Sequence, residues 1–344
     1  MPKLPLNFKK LNSKKRKVYK KIKQFVAHLK MQEQHEKTQS SESFSIETNK
    51  IEPDPEPYLL KSKLKLAKSY LRRFISSSPE WFKFKKQNYE KNRFEECSEF
   101  MKFSNVYLET NDGQTIGLHI YSPVNTNKET QICLFVHGKQ TNRAHFSRKL
   151  PIDKLVENNV VIALIDCRSF GDSKGKYDVE KINLDMDRAV NYLANTYKAE
   201  KIHLISHCIG SGIAIQYYKY TLTNTLTNLV GKIILISPCI SEYELALQNL
   251  SFKVLNKVVK QNPENVYSHL SHNNVELIRN THIQNENVIV FHGMKDKIVP
   301  FDHGLKLANE MGCKLYRSES DDYYTILNNK EVLTRIVQFV NEDM

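Results

Sequence analysis

The sequence predicts an α/β protein with a mostly parallel sheet covered by helices on both faces. Three observations carry that prediction. Eight short β-rich runs follow Phe103: "SNVYLET", "GQTIGLHIYSP", "QICLFVHG", "VVIALIDC", "KIHLISH", "KIILISP", "NVIVFHG" and "CKLYRSE". Most of these runs are parted by segments of helix length, and parallel neighbours need such crossovers. The charge balance also breaks at this point. Residues 1–103 hold 25 of the 51 Lys and Arg and 12 of the 38 Asp and Glu, leaving 26 against 26 for residues 104–344. The net charge of +13 is therefore N-terminal, and such a break marks a domain boundary.

The elements follow in chain order. In "KVYKKIKQFVAHLK" the residues Val18, Ile22, Phe25, Val26 and Leu29 recur at helical spacing, with lysines on the opposite face. The segment to Pro57 is polar and carries Pro53, Pro55 and Pro57 at alternate positions, so residues 1–57 are expected to be a basic helix and a disordered linker. A second basic helix is expected in "YLLKSKLKLAKSYLRRFI", whose stripe is Leu60, Leu64, Ala67, Leu71 and Phe74. Ser78 and Pro79 then read as a cap and first helical position, giving a basic helical extension over 58–103. Residues 104–344 are the α/β domain. Its first two runs are joined by "NDG", a hairpin signal, and the segment from Asp178 to Thr196 has helix length. Residues 239–284 interrupt the alternation with helix-like sequence such as "YELALQNLSFKVLNKVVK", which is expected to form a cap over the strand ends.

Composition bounds the function classes. A chain of 344 residues that is 40% hydrophobic buries a sizeable core and is not disordered throughout. The six cysteines, Cys97, Cys133, Cys167, Cys208, Cys239 and Cys313, stand singly with no C-x-x-C pair. Neither a zinc site nor a disulfide framework is expected, and a reducing compartment fits. No apolar run approaches a membrane span, and the N-terminus lacks the apolar stretch of a secretory signal. An intracellular, cytoplasmic and non-secreted protein is expected, with no cofactor and no metal.

In an open α/β sheet, ligands gather beyond the carboxyl ends of the strands. There the strand "KIHLI" runs into Ser206, His207, Cys208, Ile209 and Gly210, followed by a small-residue helix. The pattern is G-x-S-x-G with serine in the first glycine's place and cysteine in the nucleophile's. A sharp turn from strand to helix needs small neighbours, which Ser206, Gly210 and Gly212 supply. The helix N-terminus would lower the thiol pKa, whereas the bland alternative is a buried, inert cysteine.

The segments "LFVHGKQTNRAHF", "ALIDCRSFGDSKG", "HCIGSG" and "FHGMKDKIVP" follow in the order and spacing of the α/β-hydrolase superfamily. Over residues 104–342 the chain resembles most its serine-aminopeptidase and monoacylglycerol-lipase-like branch. The resemblance implies an α/β-hydrolase fold and hydrolysis of esters, thioesters or peptides. It also implies that Cys208 is the nucleophile, that the backbone amides of Lys139 and Ile209 form the oxyanion hole, and that Asp296 is the triad acid. His137 in the HG turn is expected to be structural, as are Asp166, Arg168 and Gly171.

The chain departs from the family in the last loop. Where the family carries a pattern like G-A-D-H-F, this chain reads Ser318, Glu319, Ser320, Asp321, Asp322, Tyr323 and Tyr324. Matching Asp321 to the family's aspartate places Asp322 at the catalytic histidine, and no histidine follows His303. His269, His272 and His282 lie in the expected cap, but each alone reads as a surface or packing residue.

Two functions of different class are expected. One is a hydrolase-fold protein that has lost its general base and is catalytically impaired, serving in binding or assembly. The other is an active cysteine-dependent acyl hydrolase or acyltransferase using Cys208, with Asp296 and Asp322 as polar partners. A small acyl substrate or ligand fits either. The two basic helices fit an anionic membrane surface or a protein partner, or else packing against the domain itself. Ser13 to Lys17, "SKKRK", is a weak import-like match, and no RNP, KH or zinc pattern supports nucleic-acid binding.

Overall fold

The computed structural model describes residues 99–138, 142–224, 229–241, 244–245, 273–281, 283 and 285–342. The chain divides into two compact units, residues 1–81 with 247–266 and residues 82–246 with 267–344, and every described residue belongs to the second. The expected basic helices and linker, most of the cap, Lys139, His269, His272 and His282 lie outside the described residues.

All eight expected strands form and join one sheet. They are β1 (Met101–Glu109), β2 (Thr115–Pro123), β3 (Gln131–Val136), β4 (Val160–Asp166), β5 (Ile202–His207), β6 (Val230–Ile236), β7 (Val288–Gly293) and β8 (Lys314–Ser318). Their order is β1-β2-β4-β3-β5-β6-β7-β8. Strands β3 to β8 run parallel, whereas β2 is antiparallel to both β1 and β4. The β1-β2 hairpin turns through Gly113, whose φ of 74° suits a residue without a Cβ. Strand β1 starts three residues before the expected boundary at 104. Phe103 belongs to the sheet, because its ring packs on Tyr121 at 4.9 Å and on His119 at 5.2 Å.

Alternation along each strand divides the core into two layers. Val161, Ala163 and Ile165 of β4 face a cluster that includes Ile182, Met186 and Leu193 of α3 (Ile182–Tyr197), Ile213 and Tyr217 of α4 (Gly210–Thr223), Val275 and Ile278 of α5 (Asn274–Arg279), and Leu307 and Met311 of α6 (Phe301–Met311). Val160, Ile162 and Leu164 face the other cluster, with Phe146 of α1 (Arg143–Ser147), Ile152 and Leu155 of α2 (Ile152–Glu157), and Ile336 and Phe339 of α7 (Lys330–Asn341). Every residue of β4 is buried, as a strand covered on both faces requires. Full burial of each large aliphatic side chain contributes about 1.5–3 kcal/mol.

Two polar ties fix the sheet's ends. Lys232 in β6 is buried, and its Nζ donates to the carbonyl oxygens of Phe339 at 2.6 Å and Glu342 at 2.7 Å, which terminates α7. At the expected cap, Ser241 bridges Asn273, the Asn274 N–H donates to the Ile240 carbonyl at 2.7 Å, and Asn274 Nδ2 donates to the Cys239 carbonyl at 2.7 Å. The insertion therefore leaves and returns at one point beside the carboxyl end of β6.

Candidate active site

Cys208 stands between β5 and α4 with φ 57°, a left-handed conformation that costs a non-glycine residue about 1–3 kcal/mol. Its neighbours explain how the turn persists. Its N–H donates to the Ile236 carbonyl at 3.0 Å, and its carbonyl accepts from the Ser211 N–H at 3.1 Å. A Cβ on Gly210 would run into the Val136 carbonyl oxygen and stand 2.8 Å from that of His137, so only glycine lets α4 start this close to β3. Ser206 is fully buried and donates its hydroxyl to the Ile234 carbonyl or Ser211 Oγ, each at 3.3 Å.

The turn after β3 leans on this elbow. A Cβ on Gly138 would lie 3.2 Å from the Cys208 Cβ and 3.3 Å from the Tyr323 hydroxyl. His137 holds the turn in place, with Nε2 2.8 Å from Asp166 Oδ1 and Nδ1 2.8 Å from the Gly138 carbonyl oxygen. Asp166 also accepts from the Arg143 N–H at 2.7 Å and from Arg143 Nη1 at 2.6 Å, and the same nitrogen reaches Asp172 at 2.6 Å. Arg168 pairs with Asp185 at 2.7 Å and Asp112 at 2.8 Å. The expected structural roles of His137, Asp166 and Arg168 match these contacts.

The Cys208 sulfur is buried but not isolated. Among the described residues it shares a cluster with Cys239 and Val299, against which Ile209 and Tyr323 pack. Cys239, Tyr323 and Ile209 outweigh burial and the nearby Asp296 charge, and they hold the thiol below its ordinary value, the Cys239 contact most strongly. Tyr323 moves the opposite way: burial first, then the negative charge that Cys208 would carry, pushes its phenol well above the usual range. At neutral pH the phenol therefore donates to the sulfur and takes no proton from it.

Asp296 follows β7 in the loop that the resemblance implies. Its Oδ1 accepts from the N–H groups of Ile298 and Val299, each at 2.8 Å. Its Oδ2 is buried with no hydrogen-bond partner among the described residues. The nearest ring nitrogen, His292 Nε2, is 3.6 Å away and donates instead to the Val299 carbonyl at 2.8 Å.

The last loop corrects the expected position of the base. Asp322 does not face the thiol. Its Oδ1 accepts from the N–H groups of Tyr324 and Thr325, each at 2.9 Å, while its own N–H donates to Thr325 Oγ1 at 2.8 Å. That reciprocal cap starts the short helix Thr325–Asn328, and it lowers the Asp322 pKa through the two backbone donors. The loop's register is set by Asp321, which is buried, accepts from Ser318 Oγ and Asn329 Nδ2, and gives its carbonyl to the Lys295 N–H at 3.0 Å. With 321 and 322 so engaged, the residue delivered to the sulfur is Tyr323.

His207, adjacent to the nucleophile position, does not supply the missing imidazole. Its Nε2 is 3.3 Å from the Tyr323 carbonyl oxygen, its Nδ1 is buried without a partner, and burial brings its pKa down to about 4. The ring packs on that of Tyr323 at 4.4 Å. His303 is likewise structural, accepting from the Ile240 N–H at 3.0 Å.

Two participants escaped the sequence reading. Tyr323 is one, and Asp-x-x-Thr at 322 to 325 was the signal that would have assigned Asp322 to a helix cap. Cys239 is the other. It stands just beyond β6, as Cys208 does beyond the neighbouring parallel strand β5, and that topology brings two distant cysteines together.

Comparisons with known proteins agree with the fold. Residues 127–287 match the family model for serine aminopeptidase, S33. An uncharacterized protein of Acanthamoeba polyphaga mimivirus is 24% identical over 212 residues, covering 59% of this chain and 67% of its own. Among solved structures, an esterase of Pyrococcus furiosus superposes with TM-score 0.53 at 18% identity, over 70% of this chain and 90% of that one. An α/β hydrolase from a Penicillium species gives TM-score 0.53 at 14% identity, over 70% and 98%. Acetyl xylan esterase 1 from a Thermoanaerobacterium species gives 0.52 at 14%, over 71% and 84%.

Proposed function

From a chain that carries the α/β-hydrolase fold, we propose a hydrolase-fold protein impaired in acyl hydrolysis, which keeps the nucleophile elbow and triad acid but not the general base. One observation carries this reading: the position against the Cys208 sulfur is held by the Tyr323 phenol, while among the described residues no imidazole is hydrogen-bonded to Asp296 Oδ2. Attack by a thiol needs a base within hydrogen-bond reach, and the leaving group then needs a proton. A phenol with a raised pKa supports neither the first transfer nor its return at neutral pH. Binding or assembly is then the site's role, with a small acyl compound as the ligand the scaffold suits.

The alternative, an active cysteine-dependent acyl hydrolase or acyltransferase, draws support from the strained elbow and from the lowered thiol pKa. The Ile209 N–H at the elbow is the amide on which an oxyanion would rest, together with that of Lys139. Turnover of short and medium acyl esters and thioesters separates the two readings. Wild type is expected to be no faster than Cys208→Ala. Robust turnover that Cys208→Ala abolishes would establish the thiol enzyme instead.

For the N-terminal region we propose an anionic membrane surface as the partner. Each Lys or Arg near such a surface contributes about 1 kcal/mol, and salt screens the attraction. Deletion of residues 1–57 is expected to lower affinity for phosphatidylserine vesicles and to leave the domain's melting temperature unchanged. Equal vesicle binding by the truncated chain would remove the membrane partner.

A further inference from the structure

The acyl chemistry leaves one nucleophile unused. Cys239 is fully buried and shares a small cluster with Cys208 and Val299, against which Ile209, Leu245 and Tyr323 pack. Its thiol favours the ionised form of Cys208. The two cysteines are 31 positions apart in sequence, yet each stands just past the carboxyl end of its strand, and β5 and β6 are neighbours. Both are present as free thiols.

We propose that Cys208 and Cys239 are a peroxide-oxidised pair, in which Cys208 is the sulfur attacked and Cys239 the one that resolves it into a disulfide. The proposal does not depend on whether the site hydrolyses acyl compounds. The elbow presents one sulfur to three donors: a thiol, a phenol and a backbone N–H. Donors of this kind stabilise a thiolate, the form that reacts with peroxide.

The chemistry balances with hydrogen peroxide as the only added reactant. The Cys208 thiolate attacks one peroxide oxygen, a sulfur-oxygen bond forms, the O–O bond breaks, and the departing hydroxide takes a proton to leave as water. Cys239 sulfur then attacks the sulfenic sulfur of Cys208. The S–S bond forms, the S–O bond breaks, and the hydroxide leaves with the Cys239 proton as a second water. Two thiols lose two electrons and one peroxide gains them. The two side chains already share one small cluster, and closure brings the sulfurs to about 2.05 Å.

The other described cysteines serve as internal controls. Burial pushes the Cys133 thiol up to about 12 and the Cys313 thiol to about 11, and it raises Cys167 well above its ordinary value. Since thiolate fraction falls tenfold per pKa unit, Cys208 is expected to oxidise at least about tenfold faster than these three.

The test treats the folded full chain with hydrogen peroxide at neutral pH and follows each cysteine by peptide mass mapping. Free thiols are expected to fall from six to four, with Cys208 and Cys239 recovered in one disulfide-linked peptide pair. Cys239→Ser is expected to stop at the sulfenic acid of Cys208, captured by dimedone, and Cys208→Ser to leave Cys239 a thiol. A disulfide between other cysteines would overturn the pairing. Oxidation of Cys208 no faster than that of Cys133 in wild type would overturn it too, and that comparison needs no variant to fold.

Discussion

Tyr323→His is expected to raise the turnover of acyl esters and thioesters by about 10²- to 10⁴-fold, the usual worth of general acid-base catalysis. The gain rests on what the site already holds. The side chain at 323 packs against Cys208, and Asp296 Oδ2 is buried with no hydrogen-bond partner among the described residues, as an aspartate awaiting an imidazole N–H would be. A histidine there would take the thiol proton, be oriented by Asp296, and return the proton to the leaving group. The double variant with Cys208→Ala must lose the gain. Asp322→His, by contrast, is expected to give none, because that side chain caps the helix at Thr325–Asn328 and points its carboxylate at backbone N–H groups. Turnover by Asp322→His exceeding that of Tyr323→His would show that the loop takes a different register in solution.

Asp166→Ala is expected to lower the free energy of unfolding by about 3–5 kcal/mol, the cost of stripping one partner from a buried ion pair. Both Asp166 and Arg143 are fully buried, and the carboxylate accepts from the Arg143 N–H, from Arg143 Nη1 and from the His137 ring. Arg143 keeps Asp172, so the guanidinium is not wholly abandoned, yet a main-chain donor and a ring nitrogen lose their acceptor. The surface pair Arg279 and Glu310 makes the comparison: Arg279→Ala is expected to cost far less, since solvent screens it. Urea titration of the two variants measures both numbers. Equal losses would show that the buried network contributes nothing beyond a surface pair.

How much was legible in the sequence follows from where each signal resides. The eight strands were readable because each is a local apolar run, and a sheet covered on both faces leaves little else for such runs to do. The turn at Cys208 was readable because an elbow demands small residues at fixed offsets. Asp322 misled because the family pattern was aligned across a loop whose register is set by Asp321, Ser318 and Asn329 in three dimensions. The contact between Cys208 and Cys239 is a product of strand adjacency, which no spacing rule encodes. The same holds for Arg143, whose burial depends on carboxylates 23 and 29 positions away.

The cluster around the sulfur draws on the carboxyl ends of successive strands, so its parts emerge from the ribosome in order: Cys208, Cys239, Asp296, Tyr323. Tyr323 is translated 115 residues after Cys208, which at about 5–20 residues per second leaves the nascent elbow without its phenol for roughly 6–23 seconds. During that interval the two thiols are joined to a sheet that still lacks its last strand. A message truncated between codons 296 and 323 would release a chain with both sulfurs in place, no aromatic lid over them and no α7 to lie under β6. Such fragments would carry the two thiols more open to solvent, but without the phenol that favours the Cys208 thiolate.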